Sequence, residues 1–166
     1  MALLTASLPR LAAPEDPGGA QSATLAVHLK GVGPGVEFDI EIGAGGALSC
    51  TYRYTDPHPL FRGVVSATGQ VEEGALKGFK RDALRRAPEA WPAELGSDPA
   101  RGAAIDETLE LTLGGVTRRV HRRSAAAATD SAPPDAASPE ARYLALRQDI
   151  LDLCPATPGP AYLDAS

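Results

Sequence analysis

Three histidines and two cysteines are the residues of this chain best suited to chemistry, and their spacing decides whether they can perform any. His28 and His121 fall on the polar sides of strand-like segments, while His58 lies between two prolines with Asp56 close by. No two histidines stand four apart on a helix or at alternate positions of one strand, the spacings that aim two imidazoles at one metal ion. No metal site is expected on that ground. Glu37, Asp39 and Glu41 project from one strand face, but with neither a histidine nor a facing acid among them they read as a solvated sheet face. No G-x-S-x-G elbow offers a nucleophile. Gly31–Gly35 and Gly43–Gly46 lack the following helix and the Gly-Lys-Ser/Thr ending of a phosphate loop. The residues therefore point to no catalytic group and no cofactor.

Cys50 falls on the inward side of a strand and Cys154 at the end of a helix, so both read as buried or half-buried thiols, inert through burial. A bridge between them would need an oxidising compartment, and the sequence leaves their pairing open. The run Arg118-Arg119-Val120-His121-Arg122-Arg123, with Lys77, Lys80, Arg81, Arg85 and Arg86, could bind an anion or an acidic partner. Most of those arginines gain acidic neighbours in the hairpin derived below, and no aromatic residues interleave with them. With a net charge of −5, nucleic acid is not an expected partner.

The candidate binding residues are His58, Phe61, Arg62 and Trp91. They sit in two proline-rich loops, Thr55–Gly63 and Ala87–Ala104, where aromatic anchors on a stiff segment suit a protein partner, although Phe61 and Trp91, the latter bracketed by Pro88 and Pro92, can equally fold back to close the end of the core. An alternative from another class is a small enzyme whose site lies around residues 55–63, with His58 and Asp56 as its reactive groups.

Those loops must be held by the elements between them. Val36–Ile42 alternates strictly, apolar at even and acidic at odd positions, the pattern of a strand with one solvated face. Ala47–Tyr54 returns across Gly43–Gly46 and sets Ile40 opposite Cys50, Phe38 opposite Tyr52 and Glu37 opposite Arg53. Thr24–Lys30 is a further strand, and Val64–Ser66 a short one. A helix runs from Gly69 or Gln70 to Arg86 with Val71, Leu76, Phe79, Ala83 and Leu84 on its apolar side. Gly114-Gly115 joins Asp106–Leu113 to Val116–Arg123 in a primed turn. That register pairs Leu109 with Val120, Glu110 with Arg119, Glu107 with Arg122 and Asp106 with Arg123. Ser138 caps a last helix, with Pro139 at its first position and Tyr143, Leu146, Ile150, Leu153 and Cys154 on its buried stripe.

The expected architecture is α+β, a two-layer domain in which an antiparallel sheet of four or five strands from two hairpins carries two helices on one face. Residues 1–22 read as a disordered lead and 124–137 as a flexible Ala/Pro spacer within a single domain at 23–155. Residues 156–166 form a tail. A core on roughly 100–115 residues can fold alone. The opening Met1–Arg10 has no basic start and no unbroken apolar stretch, so a cytoplasmic protein without a membrane span is expected.

The order of elements, with Leu76, Phe79 and Leu84 on the middle helix, the hairpin Leu109–Val116 and the helix from Ser138 to Cys154, resembles the emfourin-like inhibitors of thermolysin-type metallopeptidases and their relatives. The similar span is about Ala23 to Pro155. The resemblance implies a non-catalytic protein-binding or regulatory role, inhibitor-like in kind. No functional residue is carried over from it.

Overall fold

The computed structural model describes residues 24–55, 63–96, 104–125 and 135–154. β1 (Leu25–Gly33), β2 (Val36–Ile42) and β3 (Ala47–Tyr54) form an antiparallel meander, and β4 (Gly63–Gln70) pairs with the far side of β3. β6 (Ala104–Leu113) and β7 (Val116–Ala125) make the second hairpin. β1 unites the halves, because its other edge pairs with β6 from Leu25↔Leu113 to Val32↔Asp106. A three-residue strand, β5 (Glu94–Gly96), lies parallel to β7 and completes the order β4-β3-β2-β1-β6-β7-β5.

The antiparallel sheet of four or five strands expected from two hairpins is therefore corrected to a mixed sheet of seven, within a domain that remains α+β. Two strands carry too little pattern to be read. β5 offers a single inward side chain, Leu95, and three residues cannot display a period. β4 reads Gly-Val-Val-Ser-Ala-Thr-Gly-Gln, with almost no contrast between its faces, so the sequence marks only 64–66 as strand. Pairing with β3 carries it to Gln70, and the helix starts at Glu73 instead of Gly69. β7 likewise runs on through Ala125, into what the composition marked as spacer.

Both expected hairpin registers hold. Ile40 faces Cys50 and Glu37 faces Arg53, and Leu109 faces Val120 and Glu110 faces Arg119. Gly114 and Gly115 take φ of 58° and 83°, the two positive values a type I′ turn requires.

One face of the sheet is covered. α1 (Glu73–Arg85) buries Leu76, Phe79 and Ala83, and α2 (Pro139–Leu153) buries Tyr143, Leu146, Ile150 and Leu151. These pack with Leu25, Leu29, Ile40, Tyr52, Leu109 and others that alternate onto that side. The Ser138 hydroxyl accepts the Ala141 N–H at 3.1 Å, as its capping position implies. An ion pair between Arg86, at the end of α1, and Asp149 ties the helices together.

Two features of this core depart from expectation. Cys50 and Cys154, read as thiols, form a disulfide that fastens the end of α2 to the middle of β3, with Cα atoms 6.1 Å apart. Their separation of 104 residues hid the pairing, which only the placement of α2 over β3 creates. Glu107 and Arg122, expected as one of three acid–base pairs alongside surface neighbours, lie on the covered face. Glu107 is 1 % exposed and accepts from Arg122 at 3.2 Å and from Arg147 of α2 at 2.7 Å. Arg122 also donates to Glu140 at 3.3 Å. Two buried guanidiniums thus share the buried Glu107 carboxylate, and Arg122 reaches in addition the half-buried Glu140, the kind of pairing under which buried charge is tolerated. Gly31 makes the space, since a Cβ there would lie 2.6 Å from the Phe38 ring and 2.8 Å from Glu107 Cβ. Burial pushes the neighbouring Tyr143 phenol far above its usual range, and the charge on Glu107 adds to that.

Candidate functional site

The four candidate binding residues do not come together as a described site. His58, Phe61 and Arg62 lie outside the described residues, as does the Asp56 of the enzyme alternative. Trp91 is placed, and it is a core residue, 2 % exposed. Its indole N–H donates to the Arg86 carbonyl at 3.1 Å, and its ring meets Tyr143 edge-on at 5.9 Å. The Arg118 guanidinium donates to the Trp91 carbonyl from the hairpin side. A single 3₁₀ turn, Pro88–Ala90, folds the segment after α1 back so that the ring enters the core, and no face of it is left for a partner.

Most of the basic run has acidic partners nearby. Arg119 pairs with Glu110, Arg123 with Asp106, and Arg122 with Glu107 and Glu140. On α1, Lys77 pairs with Glu73 and Arg85 with Asp82. Such pairing leaves little uncompensated positive charge to attract an anion.

Two histidines gain carboxylate company that reading strands one at a time does not reveal. β1 and β2 pair so that His28 faces Glu41 and Lys30 faces Asp39. His28 Nε2 then lies 2.9 Å from Asp39 Oδ1 and 3.8 Å from Glu41 Oε1. The acids expected to stand without a histidine therefore have one. These three donor atoms fall within 4.8 Å of one another, a set that a borderline divalent cation can accept. They are also complete as a solvated hydrogen-bonded group on an open face. The signal was available: the two-residue turn at Pro34-Gly35 sets Gly33 opposite Val36, and counting back brings His28 to Glu41.

His121 bridges three strands. Its Nε2 is 2.7 Å from Asp106 Oδ1 on β6, and its Nδ1 is 2.8 Å from Glu94 Oε2 on β5. The hydrogen bond to Asp106, then that to Glu94, holds the imidazole pKa above its ordinary value. The same contact with His121, reinforced by Arg123, holds Asp106 below the usual carboxylate range. This group clamps the short β5 onto the sheet.

The uncovered sheet face is polar and shallowly concave. A depression of about 570 Å³ opens over β2 and its neighbours, bordered by Lys30, Glu37, Asp39, Thr51, Arg53 and Thr108. Among the described residues, no pairing of a nucleophile with a base appears there.

The two edges of the sheet differ sharply. β5 is three residues long, carries Glu94 and is pinned by His121, the features that blunt an edge. β4 is eight residues long and contains no charge and no proline. Nothing pairs with its outer side among the described residues. Six of its eight residues are exposed, including Val64 at 55 %. A neutral, open strand of this length offers unpaired backbone donors and acceptors in register. Composition gave no sign of it, because being an edge is a property of strand order.

No protein-family model and no curated protein matches this chain. Among the described residues no helix is long and apolar enough to cross a membrane.

Proposed function

We propose that this domain is a non-catalytic protein-binding module that takes an extended segment of another chain at the outer edge of β4. The observation that carries this reading is an uncharged, proline-free strand of eight residues at one end of a sheet whose other end is blunted. Strand addition draws its affinity from main-chain hydrogen bonds and its selectivity from alternate side chains. β4 supplies both, with Val65 and Ala67 toward the helices and Val64, Ser66 and Thr68 toward the open face. A regulatory or inhibitor-like role, which the resemblance implied, is one use of such an edge. The enzyme reading gains no support from the described residues, and the anion-binding reading is weakened by the pairing of the arginines. A cytoplasmic setting, expected from the sequence, keeps thiols reduced, so the disulfide favours an oxidising one for this module.

Selection of peptides from a random library on the immobilised domain tests the reading. Selected peptides are expected to be β-formers without proline, and their amide shift changes should cluster on residues 63–70. Peptides whose shifts map instead to the concave face, or a monomeric domain to which no library peptide binds, would refute strand addition at β4.

A further inference from the structure

We infer that the strand added at β4 is the β4 of a second copy, giving a two-fold dimer with one continuous sheet across both chains. This inference rests on the strand-addition reading of that edge and names its occupant. Three observations single out a copy over an unrelated peptide.

The first is symmetry of pattern. In an antiparallel pair, residues directly opposite each other share a face. Pairing β4 with itself about Ser66 sets Ser66 against Ser66, Val65 against Ala67 and Val64 against Thr68 of the other chain. Each of these pairs joins side chains of one face, since Val64, Ser66 and Thr68 align with the outward Arg53, Thr51 and Ser49. Both faces are thus continuous across the axis, with β-branched residues in cross-strand contact. A one-residue shift of the axis to Ala67 also matches the faces, but it sets Val65 against Gly69 and wastes that contact.

The second is charge. Self-pairing brings identical residues together at the axis, so a lysine or glutamate at or beside Ser66 would meet its own kind. β4 has none, although its neighbours β2 and β3 carry Glu37, Asp39, Glu41 and Arg53.

The third is closure. An open edge that accepts any strand is an aggregation hazard unless something consumes it. Two-fold pairing uses up both β4 edges at once and, among the described residues, leaves the two blunted β5 edges at the ends of the joined sheet. Such a contact is isologous and closed, the commonest arrangement of soluble oligomers.

Both native cysteines are bonded to each other, so a single introduced thiol reports cleanly. Ser66→Cys places two thiols opposite each other across the axis, within the reach of a disulfide. Under mild oxidation this variant should run as a covalent dimer. Val64→Cys and Thr68→Cys should each stay uncrosslinked alone and crosslink when the two proteins are mixed. Light scattering should find the unmodified protein dimeric, and Ser66→Lys, which sets two ammonium groups face to face, should weaken the dimer by about tenfold or more. An unmodified protein that is monomeric at high micromolar concentration, with Ser66→Cys uncrosslinked, would overturn the inference. If library peptides still bind residues 63–70 in that case, strand addition stands and only the identity of the occupant fails.

Discussion

Breaking the Cys50–Cys154 bridge should remove a large share of this domain's stability while leaving its fold in place. The bond closes a loop with a separation of 104 residues, and in the chain-entropy account such a cross-link withholds about 16 cal/mol/K from the unfolded chain, or about 4.7 kcal/mol at 25 °C. Removing a native bridge from a small domain typically costs about 2–5 kcal/mol, so a loss of about 4 kcal/mol is expected. That is a large part of the roughly 5–15 kcal/mol that domains possess. α2 keeps Tyr143, Leu146, Ile150 and Leu151 in the core without the bridge, so the helix should stay docked. Urea unfolding with and without reductant is the assay. At a slope of about 1.5 kcal/mol per molar, the midpoint should fall by about 2–3 M. The Cys50→Ala, Cys154→Ala double variant should follow the reduced protein within the smaller effect of its void. Serine is the poorer choice at position 50, because a hydroxyl would be buried there among apolar side chains. A midpoint that moves by less than about 0.3 M on reduction would refute the reasoning, since the cross-link would then contribute too little to see. Two titratable thiols in the unreduced, denatured protein would refute it more directly.

Two further outcomes follow from the charged groups. Glu107→Ala leaves Arg122 with one carboxylate and Arg147 with none, both buried between α2 and the sheet, so it should cost about 3–5 kcal/mol in the same unfolding assay. A loss below about 1 kcal/mol would show that water reaches those guanidiniums. His121 should titrate above its ordinary value by NMR, and Glu94→Gln should lower that titration by removing one of its two carboxylate partners. Because its folded pKa is raised, the contribution of His121 is fully present below the unfolded value near 6.5 and is lost as pH rises through the folded one. Asp106 runs the other way, losing its contribution as pH falls below its usual range. Amide protection of β5 should accordingly weaken above neutrality and in strong acid, and protection unchanged across that span would disprove the clamp.

Local pattern determined a good part of this molecule. Strict alternation in Val36–Ile42, with a glycine turn and a returning apolar series, fixed the register of β2 and β3, because a slip of one residue would turn every apolar side chain to water. Gly114-Gly115 fixed β6 and β7 in the same way, and Ser138-Pro139 fixed the start of α2. Each of these signals acts between residues near in sequence. What tertiary structure decided joins distant ones. β1 lies between β2 and β6 and so joins the two hairpins in one sheet, and β5 lands beside β7, so that His121 ties Glu94 to Asp106. α2 crosses over β3 and β6, which makes a disulfide of two cysteines and a buried ion network of Glu107, Arg122 and Arg147. Trp91, bracketed by Pro88 and Pro92, reads from the sequence either as a contact residue or as one folded back over the core, and the path of the chain after α1 makes it a core residue. The open edge at β4 is the clearest case. Its residues differ little from those of a loop, and only the strand order leaves one row of its backbone donors and acceptors without partners among the described residues.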